Sequence, residues 1–295
     1  MRWHDLPIIA FDTETTGLFP EDGHRVIEFA AIELHVDGDG RPSRVVPHQF
    51  LFNPEMPIPR EASEVSGLRD EDVASAPLFD KAAAKIHALL AGAVSVAHNY
   101  PFDQRFLTHE FARVGLRWPS PPAEIDTVDL SRRFFPEARG HKLGELAARL
   151  EVKLEGAHRA TNDAEACGRS FLELARRHSA PDELAGLVDW ADAIGDPPAT
   201  GHLERDSQRT VVFVDGPHAG QPIEAHPDTL AWMCLARTQR PPAGSGAGGW
   251  ELRYPETVRA WVQRWLRVRA SGRAAQSIKG FGATDWGIDP PLGAS

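Results

Sequence analysis

Apolar and polar positions along the first 180 residues follow two periods. Residues 7–11 form a short apolar run (Pro7-Ile8-Ile9-Ala10-Phe11) that stops at Asp12. Residues 26–36 and 45–52 carry the alternation of strands. The Asp37-Gly38-Asp39-Gly40 stretch between them is a hairpin signal. Residues 78–91 switch to helical spacing, with Phe79, Ala82, Ala83, Ile86, Leu89 and Leu90 on one face. Residues 94–97 then read as a buried strand, 102–114 as a helix, 125–128 as a brief strand, and 142–150 and 162–177 as helices. An antiparallel meander followed by alternating helices and strands predicts an α/β fold, a mixed sheet with helices on both faces.

Beyond residue 180 the pattern fragments. Gly195-Asp196-Pro197-Pro198-Ala199-Thr200-Gly201 is rich in breakers and reads as a linker, and residues 241–249 form a second, Gly/Pro-rich break. The expected division is a domain over residues 1–180, a linker over 181–204, a small α+β module over 205–240, a flexible linker over 241–250, and an amphipathic helix and tail over 251–295.

Composition narrows the classes. With 42% hydrophobic and 25% charged residues, collagen-like, coiled-coil and wholly disordered chains are excluded. Two cysteines, Cys167 and Cys234, are too few for a disulfide framework or a four-thiolate zinc site. The most apolar stretch, residues 82–97, is broken by Lys85 and His87 and is too short to span a bilayer. The first residues carry no secretory signal pattern, so a soluble, cytoplasmic protein with no membrane partner is expected. The net charge of -10 hides a split. Residues 200–295 carry 11 Lys and Arg against 9 Asp and Glu, whereas residues 1–199 carry 21 against 33. The acid excess argues against a protein that grips nucleic acid by charge alone.

Four acids stand out by position. Asp12 and Glu14 follow the first strand, and if that strand persists through Glu14 both point to the same side. Two carboxylates on one buried edge repel unless a cation lies between them. Asp103 follows the 94–97 strand, near a helix start that Pro101 favours. Asp163 lies in a first helical turn, with Asn162 and Glu165 spaced as a capping pair. His158 precedes it on a loop.

Three motifs carry a resemblance. Asp12-Thr13-Glu14-Thr15-Thr16-Gly17-Leu18 follows an apolar strand, His98-Asn99-Tyr100-Pro101-Phe102-Asp103 follows a second, and His158-Arg159-Ala160-Thr161-Asn162-Asp163 leads into a helix. Over about residues 6–178 the chain resembles the DEDDh 3′→5′ exonucleases, the group of the DNA polymerase III epsilon subunit and exodeoxyribonuclease X. The resemblance implies a ribonuclease H-like fold with a mixed five-stranded sheet. It also implies that Asp12, Glu14, Asp103 and Asp163 bind metal and that His158 is the general base. Hard oxygen donors suit two Mg²⁺ ions, with Mn²⁺ able to substitute. The implied reaction is hydrolysis at 3′ ends of DNA, single-stranded DNA first, releasing nucleoside 5′-monophosphates in repair, replication or proofreading. RNA trimming, or a proofreading or scaffold subunit bound to a polymerase, are the alternatives.

By the same resemblance, Thr15, Gly17 and Leu18 contact the terminal nucleotide and Phe102 stacks on a base; core packing is the other reading of Leu18 and Phe102. His98 and Asn99 either orient the site or bond the backbone. A family loop that usually reads Val-His-Gly has Ser66 in place of the histidine. In the C-terminal part, Phe213, Leu230 and Trp232 belong to a segment similar to the small module of exodeoxyribonuclease X, and core packing accounts for them. Residues 256–281 carry six basic residues and one acid, with Trp261 and Trp265 interleaved. They read either as a surface for nucleic acid or for a DNA polymerase or other replication protein, or as a helix packed on its own domain; the second is favoured.

Overall fold

The computed structural model describes residues 1–37, 40–154, 160–193, 197, 200–208, 210–235, 237–239, 250–254, 258–259, 261–262 and 265–266. The chain divides into two units, Met1–Ala193 and Ile194–Ser295.

The first unit is built on β1 (Ile8–Thr15), β2 (Val26–Val36) and β3 (Pro42–Leu51), followed by the short helices α1 (Arg60–Ser66) and α2 (Asp70–Val73) and by α3 (Asp80–Ala91). Then come β4 (Val94–Ala97), α4 (Tyr100–Arg113), β5 (Ala123–Asp126), α5 (Thr127–Phe134), α6 (Leu143–Leu150), α7 (Ala160–Arg177) and α8 (Leu184–Asp192). The five strands lie in the order β3-β2-β1-β4-β5. The pairs β1–β2 and β2–β3 are antiparallel, and β1–β4 and β4–β5 are parallel. This is the mixed sheet expected from the meander and the alternation after it. The parallel half is joined through helices because a parallel return needs a crossover.

The period of two in β1 sorts its side chains into two cores. Ile8 and Ala10 pack with Ile32, Leu34, Val94 and Val96 beneath Cys167 and Phe171 of α7. Ile9 and Phe11 pack with Phe29 and Ala31 beneath Ile86 of α3 and Phe106 and Phe111 of α4. With helices on both faces, β1 is buried on both sides, which is why Ile8–Phe11 is a continuous apolar run. α7 lies so close to the sheet that a Cβ on Gly168 would stand 2.7 Å from the Ala10 Cβ and 2.8 Å from Leu34 Cδ1.

Several boundaries differ from the sequence reading. β5 ends at Asp126 and α5 begins at Thr127, because the Asp126 carboxylate accepts the Val128 N–H and caps the helix. α7 begins at Ala160, so Asn162 lies inside the helix and is not its cap. Residues 184–192, expected as linker, are α8, whose Leu187 and Ala191 enter the first core. The chain end holds this region: Trp3 donates its backbone N–H to Asp182 O and its indole N–H to Pro181 O. The expected Asp37–Gly40 turn falls partly on residues 38 and 39, outside the described residues.

In the second unit β6 (Leu203–Arg205) and β7 (Val211–Phe213) form an antiparallel pair, followed by α9 (Pro227–Leu235). A further pair joins β8 (Arg237–Gln239) and β9 (Trp250–Leu252). Val258, Trp261, Val262, Trp265 and Leu266 share one core with Phe213, Ile223 and Leu230. The separation of 205–240 from 251–295 is thus replaced by a single unit. Residues 241–249 and 267–295 lie outside the described residues. Among the described residues, no helix is long and apolar enough to cross a membrane.

The Gly168 approach gives a paired test. Gly168→Ala adds helix propensity but drives a methyl into Ala10, so urea unfolding is expected to show a loss of about 1–3 kcal/mol. Gly144→Ala, in α6, meets only Leu154, at 3.8 Å, among the described residues and should be neutral or mildly stabilising.

Candidate active site

β1 does persist through Glu14, so Asp12 and Glu14 project from the same face as Ile8 and Ala10, the face that α7 covers. Asp163 stands in the first turn of α7. Asp103, in the first turn of α4, is 2% exposed and reaches the strand through Thr13. Its Oδ1 accepts the Thr13 N–H at 2.9 Å and the Thr13 hydroxyl at 2.6 Å. The fold therefore brings all four predicted carboxylates to the carboxyl end of β1. His158 lies outside the described residues.

Their charges act on one another. Burial, then Asp103, Glu14, Asp163 and Glu28, hold the Asp12 carboxyl well above the usual range. Burial, Glu28, Asp163 and Asp103 push Glu14 up to about 7. Burial also pushes Asp103 up to about 7, against the pull of its Thr13 hydrogen bonds. Glu28 was not singled out from the sequence. It sits directly across from Glu14 in the β1–β2 register, is 2% exposed, and accepts a 2.5 Å bond from the Gln49 amide. The signal was available: Glu28 is an acid between Ile27 and Phe29 in an otherwise apolar strand.

Among the described residues, no three His, Cys, Asp or Glu side chains close on one point as a finished chelate. The donor set nevertheless fits a divalent cation. It is all hard oxygen, and the raised carboxyls show burial and mutual repulsion that a cation would relieve.

The loop that follows Glu14 is pinned at its base. Thr16 N–H donates to Arg25 O, and Arg25 N–H returns a bond to the Thr16 hydroxyl, both at 2.9 Å. The Arg25 guanidinium makes a two-point pair with buried Glu110 of α4, at 2.7 and 3.0 Å. Within the loop, the Thr15 hydroxyl donates to Gly17 O at 2.6 Å, and a Cβ on Gly17 would strike the His24 ring at 2.5 Å. Leu18 is 67% exposed, which removes the core-packing reading for it. Phe102 is half-buried against Phe106, with ring centroids 5.1 Å apart, so it has both a core side and an open side.

His98 and Asn99 support the junctions of the parallel strands. His98 Nδ1 lies 2.9 Å from the Thr127 hydroxyl, and burial, with Arg132 nearby, lowers its pKa to about 4. Asn99 takes a left-handed conformation (φ 74°) before α4, and its N–H donates to Asp126. Asp126 thus ties the starts of α4 and α5 together, a role the strand pattern did not reveal. Ser66, in the position where the histidine was expected, ends α1: its hydroxyl donates to Ala62 O and accepts the Leu68 N–H.

Comparison with known proteins agrees with this geometry. The exonuclease (RNase T) family profile matches residues 9–171. A DNA polymerase III subunit epsilon-like protein of Rhodobacter capsulatus is 36% identical over 205 residues, covering 68% of this chain and 28% of that protein. DNA polymerase III subunit epsilon of Rickettsia prowazekii is 32% identical over 195 residues, covering 61% of this chain and 82% of that protein. The chain thus spans little more than a quarter of the Rhodobacter relative. Among solved structures, exonuclease I superposes with a TM-score of 0.51 at 20% identity, over 63% of this chain and 43% of that one. The fold is ribonuclease H-like, as the motifs implied.

The raised carboxyls have a measurable sign. Their folded pKa values lie above the ordinary values near 4, so the folded state holds extra protons between about pH 4 and 7. Stability contributed by these groups is therefore full in acid and lost as pH rises through that window. In EDTA at pH 8, Glu14→Gln should melt about 2–8 °C above the parent, with a smaller gap at pH 5. Mg²⁺ should raise the parent's Tm at pH 8 and raise that of Glu14→Gln less.

Proposed function

The chain belongs to the exonuclease family, and we propose that it is a metal-dependent 3′→5′ exonuclease acting on DNA ends and releasing nucleoside 5′-monophosphates. One observation carries the reading: four buried or half-buried carboxylates from β1, α4 and α7 come together at the end of β1, and burial with their mutual repulsion raises Asp12, Glu14 and Asp103. Asp12, Glu14 and Asp163 would hold Mg²⁺ or Mn²⁺. Asp103, engaged with Thr13, would contribute more through charge and positioning than by direct ligation. Two divalent cations held by these residues would supply positive charge against the negative charge that develops during phosphodiester hydrolysis.

The chain's own groups do the rest. Neutral His158 takes the proton of the attacking water as general base. Thr15, Gly17 and exposed Leu18, on the pinned loop, would seat the terminal nucleotide, with the open side of Phe102 against its base. His98, kept neutral by burial, and Asn99 would hold the strand-to-helix junctions in place. The relatives' names, subunits of DNA polymerase III, favour replication or repair as the setting and a polymerase as a partner.

The test compares matched single-stranded DNA, duplex DNA and RNA, each labelled at the 5′ end. DNA should shorten stepwise with Mg²⁺ and not in EDTA, and Asp163→Ala should abolish this. RNA shortened in preference to DNA would move the assignment to a ribonuclease, and no metal-dependent shortening of any strand would refute the enzyme. With metal saturating, kcat/KM should fall as pH drops below about 6.5. His158→Ala should lower kcat about 10²- to 10⁴-fold and flatten that acid limb.

A further inference from the structure

The second unit places an exposed aromatic group where the sequence suggested core. Phe213 and Leu230 are buried at 3% and 0% exposure, but Trp232, on the same helix as Leu230, is 48% exposed. Its ring meets Tyr254 edge-on at 5.9 Å, and Tyr254 meets His202 edge-on at 5.0 Å. The exposed Arg253 guanidinium lies 5.3 Å from the Trp232 ring centre and 5.8 Å from that of Tyr254. Three aromatic rings and one guanidinium thus form a continuous cluster on one unit.

We propose that Trp232, Tyr254 and Arg253 form a stacking platform for the bases of a single-stranded nucleic acid. An indole half open to water at the margin of a packed core adds little to folding, yet it offers a flat face that any base can cover. Arg253 keeps the rings oriented and adds a cation for the phosphate chain. Charge favours this occupant over an acidic protein groove or a neutral helix. The 200–295 segment carries 11 Lys and Arg against 9 Asp and Glu, in a chain whose remainder is strongly acidic. The nearby exposed acid, Asp215, lies 3.3 Å from His202 Nδ1, within hydrogen-bond reach of that ring. Arg259 donates to Tyr254 O at 3.2 Å and adds a second cation beside the cluster. The platform would add affinity for a strand beyond what the carboxylate site alone provides. It rests on the proposed nucleic-acid substrate.

The full-length chain in EDTA, which prevents cutting, is titrated against a fluorescein-labelled 20-nucleotide single-stranded DNA. Anisotropy should show Trp232→Ala binding about 5- to 150-fold weaker, with Trp232→Phe close to the parent. Arg253→Ala should be weaker and less salt-dependent. The oligonucleotide should quench tryptophan emission in the parent and less in Trp232→Phe. With Mg²⁺, Trp232→Ala should raise KM on the 20-mer and leave kcat on a trinucleotide unchanged. Circular dichroism melts confirm that each variant is folded. Equal binding by parent and Trp232→Ala, or no binding of single strands by the parent, overturns the platform. If the parent still degrades DNA in either case, the exonuclease assignment stands without it. A cluster that binds a purified polymerase and not DNA also overturns it.

Discussion

Like charges forced together at the end of one buried strand are the constraint around which the first unit is arranged. Asp12 and Glu14 share a face of β1, Glu28 stands across the ladder from Glu14, and Asp103 and Asp163 arrive from helices on opposite sides of the sheet. Each disfavours ionisation of the others, and burial adds to the penalty. Such a cluster persists only if packing elsewhere holds it together. Two apolar cores on the two faces of the sheet do that, and the side chains of β1 belong alternately to each. The strained end of the strand is continuous with its most buried stretch, so a rigid base carries the repulsion.

The same geometry explains why small contacts remote from the acids matter. Gly168 lets α7 lie against Ala10, two residues before Asp12, and α7 brings Asp163. A helix held off by one methyl group would carry that carboxylate with it. On the other face, Thr13 points toward α4 and fixes Asp103, while Glu110 at the far end of α4 fixes Arg25 and through it Thr16. β1 is thus gripped by α4 at two points, and the loop bearing Leu18 leaves it from a defined base. Removing Arg25 would leave the Glu110 carboxylate buried without its guanidinium, a change of the costly kind, whereas removing Glu110 would still leave Arg25 its longer pair with Glu55 at 3.6 Å.

Much of this was legible in the sequence, and the rest has identifiable reasons. The strands and central helices follow from the periods of two and 3.6, and the acids of the site follow from motif order. Glu28 escaped because its partner Glu14 is set by strand register, and register is not written in either strand alone. Asp126 escaped because its work is to bond two backbone N–H groups from different helices. α8 was hidden by the breakers after it: the Gly/Pro-rich stretch was legible, but its near boundary depends on Leu187 and Ala191 finding the first core. Trp232 was assigned to a core by its neighbours in sequence, yet a helix turns adjacent residues to different sides. Leu230 faces in and Trp232 faces out.

The division of charge follows from the same constraint. A chain of net charge -10 would repel a phosphate backbone if its charge were spread evenly. It is not: the acid excess lies in residues 1–199, where several carboxylates are gathered into one cluster instead of facing solvent. On the proposed reading, cations held at that cluster would reverse the local sign where a phosphate approaches, leaving the remaining acids to resist broad contact along a strand. Affinity for a long polyanion must then come from contacts that do not depend on charge excess, or from the slightly basic second unit. Each unit has an exposed apolar group that would fill that need on the proposed reading, Leu18 in the first and Trp232 beside Arg253 in the second. On the proposed reading, a protein organised this way would recognise an end more readily than a backbone, because cation-bridged contact would be confined to the carboxylate cluster.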